Sequence, residues 1–166
     1  MRHLILLSAI PGSGKSTWAN EYKRMHENTF IVASDEIRIR LTGNVQNFEH
    51  EDEVWATYLS DLNRYAEKYE DVNVIADATN LTNEYRLFYG RMTPMFDKHS
   101  LVVFNIPLDI CLLQNRMRTK SRIVPEEAVK KMYTQFEKPN DEVMDLFDEV
   151  IFIGKSYHSD KVKTEK

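Results

Sequence analysis

A glycine-rich segment near the amino terminus has the residue types and the spacing of a chemically active site. The chain reads Ala-Ile-Pro-Gly-Ser-Gly-Lys-Ser-Thr over residues 9–17, directly after an apolar run at residues 4–7. Glycines permit backbone conformations that a Cβ forbids, so the N–H groups of such a loop can turn inward and bind phosphate oxygens. We therefore predict that the loop binds a nucleotide through Pro11, Gly12, Ser13, Gly14, Lys15, Ser16 and Thr17.

Two side chains of this loop have more specific predicted roles. We expect Lys15 to reach the β- and γ-phosphates of ATP and the Ser16 hydroxyl to ligate Mg²⁺, so ATP and Mg²⁺ are the predicted cofactors.

The motif G-x-x-x-x-G-K-S/T requires a glycine where this chain has Ala9. Alanine fits at that position if its φ stays negative, and we expect that it does.

A carboxylate and a guanidinium lie one helical turn apart after the second predicted strand. Asp35 can accept a proton from a hydroxyl that attacks the γ-phosphate, which makes it the candidate general base. Arg38 projects from nearly the same helix face, and its forked guanidinium suits a substrate that carries its own phosphate. The pattern alone is equally compatible with a capping aspartate and a solvated arginine.

Further polar side chains follow the third predicted strand. Asp77 ends the apolar run 72–76 and is a candidate for orienting the Mg²⁺ shell through water, although it can instead pair with a basic lid residue. Asn80 and Arg86 are candidates for contacting the substrate, and Arg86 can equally be a surface residue. The carboxyl ends of parallel strands are where ligands bind, so these residues are expected to border the nucleotide site.

A basic segment follows the fourth predicted strand and its helix. Residues 116–122 contain Arg116, Arg118, Lys120 and Arg122. Such a segment can form a mobile lid whose positive charge stabilises a transferring phosphoryl group, and the alternative is a solvated basic loop. We prefer the lid because a phosphate-binding loop is present.

The elements that position these residues alternate between strand and helix. Short apolar runs predict strands at 3–8, 29–33, 72–76, 100–106 and 150–153, and helical patterns predict helices at 15–26, 34–43, 48–69, 82–96, 107–118, 125–136 and 141–147. This order predicts an α/β fold, with a parallel five-stranded sheet flanked by helices and a helical lid.

Composition predicts one globular domain. The chain has 166 residues and a net charge of −4, so a nucleic-acid contact needs a local basic patch. We expect the domain to span residues 1–154, followed by a polar tail at 155–166. The single cysteine, Cys111, excludes an internal disulfide, and no stretch is apolar enough to span a bilayer, so a cytoplasmic protein without a membrane partner is expected.

Several motifs together resemble the kinase domain of phage-type polynucleotide 5′-hydroxyl kinases, a P-loop NTPase family. They are the segment 11–19, Ser34-Asp35-x-x-Arg38, Asp77-x-Thr79-Asn80-Leu81, and Val124-Pro125 with Met132-Tyr133. The likeness extends over residues 3–153. The chain is also similar to the broader group of small P-loop kinases that includes zeta-toxin-like and antibiotic phosphotransferase enzymes, in which the acceptor varies.

The resemblance implies transfer of the ATP γ-phosphate to the 5′-hydroxyl of DNA or RNA in the presence of Mg²⁺. By position, it implies that Asp35 is the general base and that Arg38 holds the 3′-phosphate of the acceptor nucleotide. The lid arginine is less directly matched, because ungapped alignment places Thr119 at that position. Arg118 is the first choice, followed by Arg122 and Arg116.

Three functions follow from these observations. The leading one is an ATP-dependent kinase for the 5′-hydroxyl of a polynucleotide or nucleotide. The second is a small-molecule kinase whose acceptor is the alcohol of a nucleoside, sugar or antibiotic. The third is a nucleotide-binding switch or ATPase without an acceptor, for which no partner-responsive loop or water-positioning group is evident.

Overall fold

The computed structural model describes residues 1–154 and residues 164–165. Its centre is an all-parallel sheet, as predicted, with the spatial order β2-β3-β1-β4-β5. A two-residue strand, β6, extends the sheet beyond β5, while residues 155–163 and 166 of the predicted tail lie outside the described residues. The strands are β1 Arg2–Ser8, β2 Thr29–Ala33, β3 Val72–Asp77, β4 Lys98–Asn105, β5 Glu149–Gly154 and β6 Thr164–Glu165.

Helices connect the strands and cover both faces of the sheet. They are α1 Lys15–Met25, α2 Ser34–Thr42, α3 Glu51–Lys68, α4 Asn83–Arg91, α5 Leu108–Arg116, α6 Glu126–Gln135 and α7 Asp141–Leu146, with a 3₁₀ turn at Lys120–Arg122. Helix α4 ends at Arg91, earlier than the predicted 82–96. Pro94 lacks the N–H that helical continuation requires. None of the described helices combines the length and the apolarity that a bilayer crossing requires.

The core consists of two apolar layers, one on each face of the sheet. On one face, alternate β1 residues such as Leu4 and Leu6 are buried with Tyr58 and Leu62 of α3. On the other face, the intervening β1 residues are buried together with Ala19 of α1. Because both faces are covered, β1 is a continuous apolar run, as expected of a buried parallel strand.

The strand order brings the candidate residues to one edge of the sheet. β3 lies between β1 and β2, and Ala33 at the end of β2 is in register with Asp77 at the end of β3. The phosphate-binding loop follows β1 directly, and α2 begins directly after β2. Asp35, Asp77 and Lys15 are therefore held at the carboxyl edge by three adjacent strands, where parallel sheets bind their ligands.

Candidate active site

The phosphate-binding loop has the backbone geometry that its sequence predicts. Gly12 and Gly14 have φ values of 82° and 93°, in the left-handed region that favours glycine. Among the described non-glycine residues, only Asn28 and Asn80 have positive φ, so Ala9 keeps the negative φ expected of it. The Ala9 N–H donates to the carbonyl of Thr79 at 2.8 Å, which ties the start of the loop to the end of β3.

Gly12 is also required because α5 approaches the loop closely. A Cβ at this position would lie 2.1 Å from the carbonyl oxygen of Cys111 and 3.0 Å from the backbone nitrogen of Asn115. No side chain fits in that space without moving the α5 backbone. Cys111 itself is a buried thiol, and burial, aided by the charge of Asp109, raises its pKa to about 11, which disfavours the thiolate form.

Lys15, Ser16 and Asp77 converge where the loop meets β3. The ammonium of Lys15 lies 2.9 Å from Oδ1 of Asp77, and the Ser16 hydroxyl donates to Oδ2 of the same carboxylate at 3.4 Å. Asp77 is buried, so this carboxylate is held in place next to the loop. A lysine and a hydroxyl–carboxylate pair at the end of a phosphate-binding loop match the donor set of an ATP–Mg²⁺ site.

Two cavities open beside this cluster. One, of about 320 Å³, is bordered by the loop residues Pro11, Gly12 and Gly14 to Thr17, together with Gln114, Arg118 and Arg122. A second, of about 280 Å³, shares Lys15, Ser16 and both arginines and is also lined by Asp35 and Asp77. The buried Ser13 lines neither; its hydroxyl donates to the carbonyl of Ile10 at 2.7 Å and so shapes the loop. In the second cavity, Lys15 and Ser16 of the loop thus face the same space as the candidate base Asp35.

A third cavity is lined by Pro11 and Lys15 of the loop and by Asp35 and Arg38 of α2. It measures about 210 Å³, and we call it the acceptor groove. Phe48 and Trp55 form an aromatic part of its wall, and the remaining lining includes Val45, Gln46, Glu51, Val124, Met132 and the two lid arginines. Asp35 lines both this groove and the 280 Å³ cavity, so its carboxylate is accessible from both spaces.

Arg38 lies in the groove, but its guanidinium is engaged by carboxylates. Nη1 donates to Oδ1 of Asp35 at 2.8 Å, while Nε and Nη2 donate to the two oxygens of Glu51 at 2.9 and 2.6 Å. Its guanidinium also lies 4.8 Å from the ring centroid of Phe48. Burial alone lowers the pKa of Arg38, but the bonds and charges of Glu51 and Asp35 outweigh burial and raise that pKa above its usual value.

The three lid arginines are placed differently. Arg118 and Arg122 line all three cavities, and Arg122 also donates to Oε1 of Glu36 at 2.5 Å. Arg118 takes part in none of the ion pairs found among the described residues. Arg116 points elsewhere: its Nη2 donates to Glu126 at 2.6 Å, and it borders none of these cavities. The structure therefore separates Arg116 from the expected nucleotide contact.

Arg86 and Asn80 are structural residues in this fold. Arg86 is fully buried, and its guanidinium donates to the Ser8 hydroxyl at 3.1 and 3.0 Å and to Oδ1 of Asn83 at 2.8 Å. Asn80 is 4% exposed and donates to the carbonyl of Leu7 at 2.8 Å. Both residues hydrogen-bond to the last two residues of β1, and their burial corrects the expectation that they contact a substrate.

Glu51, Phe48 and Asn115 contact residues of the site, although no sequence pattern singles them out. Glu51 opens α3 and looks like one of several acidic residues in a first helical turn, and Phe48 lies in the connection between α2 and α3. Both approach Arg38 only because α3 packs beside α2. Asn115 has no recognisable motif, and its role depends on contacts that span the lid segment.

Two curated proteins are similar to this chain in sequence. L-seryl-tRNA(Sec) kinase from Methanococcus maripaludis is 29% identical over 144 residues, covering 82% of this chain and 53% of its own. Protein kti12 from Schizosaccharomyces pombe is 28% identical over 155 residues, covering 82% and 52%. The chain thus spans about half the length of these curated relatives.

Solved structures share the fold at lower identity. A chain of the Pnkp1/Rnl/Hen1 RNA repair complex aligns with a TM-score of 0.71 and 22% identity, covering 89% of this chain and 46% of that one. A fungal RNA kinase aligns at 0.66 and 17%, covering 98% and 78%. A gluconokinase from Sinorhizobium meliloti 1021 aligns at 0.56 and 15%, covering 93% and 85%.

A family model decides the classification. The model described as "AAA domain", AAA_33, matches residues 4–139, which include the phosphate-binding loop, Asp35, Asp77 and the lid segment. The parallel sheet, the loop geometry and the kinase relatives are all consistent with that match. The chain belongs to the AAA_33 family, whose model is described as an AAA domain.

Proposed function

We propose that this protein transfers the γ-phosphate of ATP to a hydroxyl, with Asp35 as the general base. The observation that carries the proposal is the shared cavity, in which Asp35 faces the same space as Lys15, Ser16, Arg118 and Arg122. A protein that only binds or hydrolyses the nucleotide has no need of a second groove that ends at a carboxylate. The acceptor groove supplies the place for the second substrate.

The residues around the cavities have different roles in an in-line transfer of the γ-phosphoryl group. The acceptor hydroxyl loses its proton to Asp35 as its oxygen bonds to the γ-phosphorus, and the bond from that phosphorus to the β–γ bridging oxygen breaks, releasing ADP. Arg38 donates to Asp35 and holds that carboxylate in position. Lys15, Arg118 and Arg122 bring positive charge to the oxygens of the transferring group, where negative charge must be stabilised.

Mg²⁺ is the metal that the donor set fits. The Ser16 hydroxyl and the Asp77 carboxylate are hard oxygen donors at the loop, and Mg²⁺ is usually bound by one or two such groups plus phosphates and water. When bound, Mg²⁺ neutralises charge on the phosphate oxygens.

For the acceptor, we propose the 5′-hydroxyl of a polynucleotide, DNA or RNA, or of a nucleotide. The aromatic wall of the groove suits a base, and Arg118 and Arg122 supply local positive charge despite the net charge of −4. The names of similar proteins support an RNA-related substrate: one relative is a seryl-tRNA kinase, one structural neighbour is a chain of an RNA repair complex, and another is an RNA kinase.

The contacts of Arg38 favour a second candidate, a kinase for an alcohol with no phosphate beside the reacting hydroxyl. Glu51 and Asp35 already accept bonds from three nitrogens of Arg38, so a 3′-phosphate must displace Glu51 to bind there. A nucleoside or sugar alcohol needs no such displacement. The gluconokinase neighbour shows that the same fold accommodates a sugar kinase.

The test is transfer of label from γ-labelled ATP. The acceptors are a 5′-hydroxyl oligonucleotide, a nucleoside 3′-monophosphate, a nucleoside and a sugar panel, with Lys15→Ala as the control that must abolish transfer. The proposal predicts label on the oligonucleotide or nucleotide. Label only on sugars or nucleosides would establish the second candidate, and release of inorganic phosphate without labelled acceptor would contradict both.

A further inference from the structure

The side chain of Asn115 closes the lid segment, residues 116–123, at its base. Its amide nitrogen donates to the Val124 carbonyl at 2.7 Å, and its amide oxygen accepts from the Val124 N–H at 3.1 Å. Asn115 is 2% exposed, and both bonds are partly buried. A reciprocal pair of this kind fixes the separation of the two ends of the segment.

The same residue lies against the phosphate-binding loop. The space that a Cβ on Gly12 would occupy is within 3.0 Å of the Asn115 backbone nitrogen. The last turn of α5 therefore packs directly on the loop, and the Asn115 side chain extends that contact to the far end of the lid segment. Between the two fixed ends, Arg118 and Arg122 face the cavities that contain Lys15.

We infer that Asn115 is a positioning residue that aims Arg118 and Arg122 at the phosphate bound by the loop. The reciprocal bonds hold the two ends of the eight-residue segment 116–123 at a fixed separation. This restricts the positions that its arginines can take, so they are already oriented towards the terminal phosphate when ATP binds. Without those bonds the segment has no buried polar anchor at Val124. The inference rests on the proposed transfer from ATP, but it concerns the nucleotide side of the site and not the acceptor.

The experiment compares the affinities of the protein for AMP-PNP and ADP. These ligands differ by the γ-phosphoryl group, so their affinity ratio reports contacts to it without any acceptor. We expect Asn115→Leu, which keeps the side-chain volume and removes both bonds, to lower the AMP-PNP preference roughly tenfold and turnover on the order of 10²-fold. Asn115→Ala serves if the leucine variant does not fold.

The control separates positioning from stability. Thr93→Val removes a buried side-chain hydrogen bond elsewhere in the fold. In the connection between α4 and β4, the Thr93 hydroxyl donates to the carbonyl of Tyr89 at 2.7 Å. This substitution should lower the melting temperature and leave the affinity ratio unchanged. In an Arg118→Ala/Arg122→Ala background, the Asn115 substitution should not lower the ratio further, because the groups it positions are gone.

Three results would overturn the inference. They are an Asn115 variant with reduced melting temperature but a wild-type affinity ratio, an undiminished effect in the double-arginine background, and a wild-type protein that binds AMP-PNP and ADP equally well. A wild-type protein that prefers AMP-PNP but labels no acceptor would instead refute the proposed function and leave the Asn115 measurement valid.

Discussion

At the level of single residues, two carboxylates, those of Asp35 and Glu51, share the guanidinium of Arg38. It donates to Asp35, which orients the candidate base, and it donates twice to Glu51, which neutralises the charge that a phosphate-bearing acceptor needs. Its side chain is only 5% exposed, so an incoming phosphate must replace an existing partner. Under the proposed function, we therefore expect Glu51 to influence the choice of acceptor as much as Arg38 does.

We predict that Glu51→Gln shifts the acceptor preference towards phosphates. Glutamine keeps the size of the side chain but removes the charge that opposes a phosphate. The kcat/KM ratio of a nucleoside 3′-monophosphate to the unphosphorylated nucleoside should rise roughly tenfold, a change of about 1.4 kcal/mol. Arg38→Ala should abolish the gain in the Glu51→Gln background, and an unchanged ratio in Glu51→Gln would show that Arg38 does not bind the acceptor phosphate.

At the scale of elements, the phosphate-binding loop and α5 form one packed unit. Gly12 fits only because it has no Cβ, since α5 passes within 2.1 Å of where that atom would be. Its φ of 82° adds a second restriction on any other residue. The conformational and the steric restrictions can be separated, because Gly43 has a nearly identical φ of 81° with nothing within 4 Å of its Cβ position.

We predict that Gly12→Ala disrupts nucleotide binding and Gly43→Ala does not. Both substitutions should lose about 1–2 kcal/mol of stability from the left-handed backbone. Gly12→Ala should in addition force the loop and α5 apart and weaken ATP binding by at least about tenfold, measured by calorimetry. Equal ATP affinities in the two variants would mean that the contact with α5 does not shape the loop.

The elements that could be predicted are those marked by a local sequence pattern. Apolar runs located β1 to β5, and the loop motif and Asp35 followed from residue types next to strand ends. The lid arginines were found as a basic run, but which of them face the site depends on Glu126 and Glu36 pairing with Arg116 and Arg122. Such pairings, like that of Glu51 with Arg38, arise from tertiary packing, which no sequence period encodes.

At the scale of the whole molecule, Arg86 links the back of the site to the rest of the domain. It bonds the end of β1 through Ser8 and the start of α4 through Asn83, and its guanidinium lies 5.3 Å from the ring centroid of Phe136 after α6. Asn83 in turn donates to the carbonyl of Lys138 at 3.0 Å. A cation in a fully buried position is easily mistaken for a surface or substrate residue from sequence alone.

We predict that Arg86→Met lowers stability and not catalysis. The variant leaves the buried oxygens of Ser8 and Asn83 without these donors, which should cost about 3 kcal/mol and lower the melting temperature by roughly 6–12 °C. The exposed Arg24→Met is the control and should change stability by less than about 0.5 kcal/mol. Loss of kcat in a fully folded Arg86→Met protein would instead place Arg86 at the substrate.

The proposed function depends on Asp35 accepting the proton of the attacking hydroxyl. Single-turnover transfer from ATP to the best acceptor, compared between wild type and Asp35→Asn, tests it most directly. Asparagine keeps the shape of the side chain but cannot take the proton, so the account predicts a rate lower by roughly 10²–10⁴-fold with unchanged ATP affinity. An unchanged transfer rate, or a defect confined to KM, would contradict it.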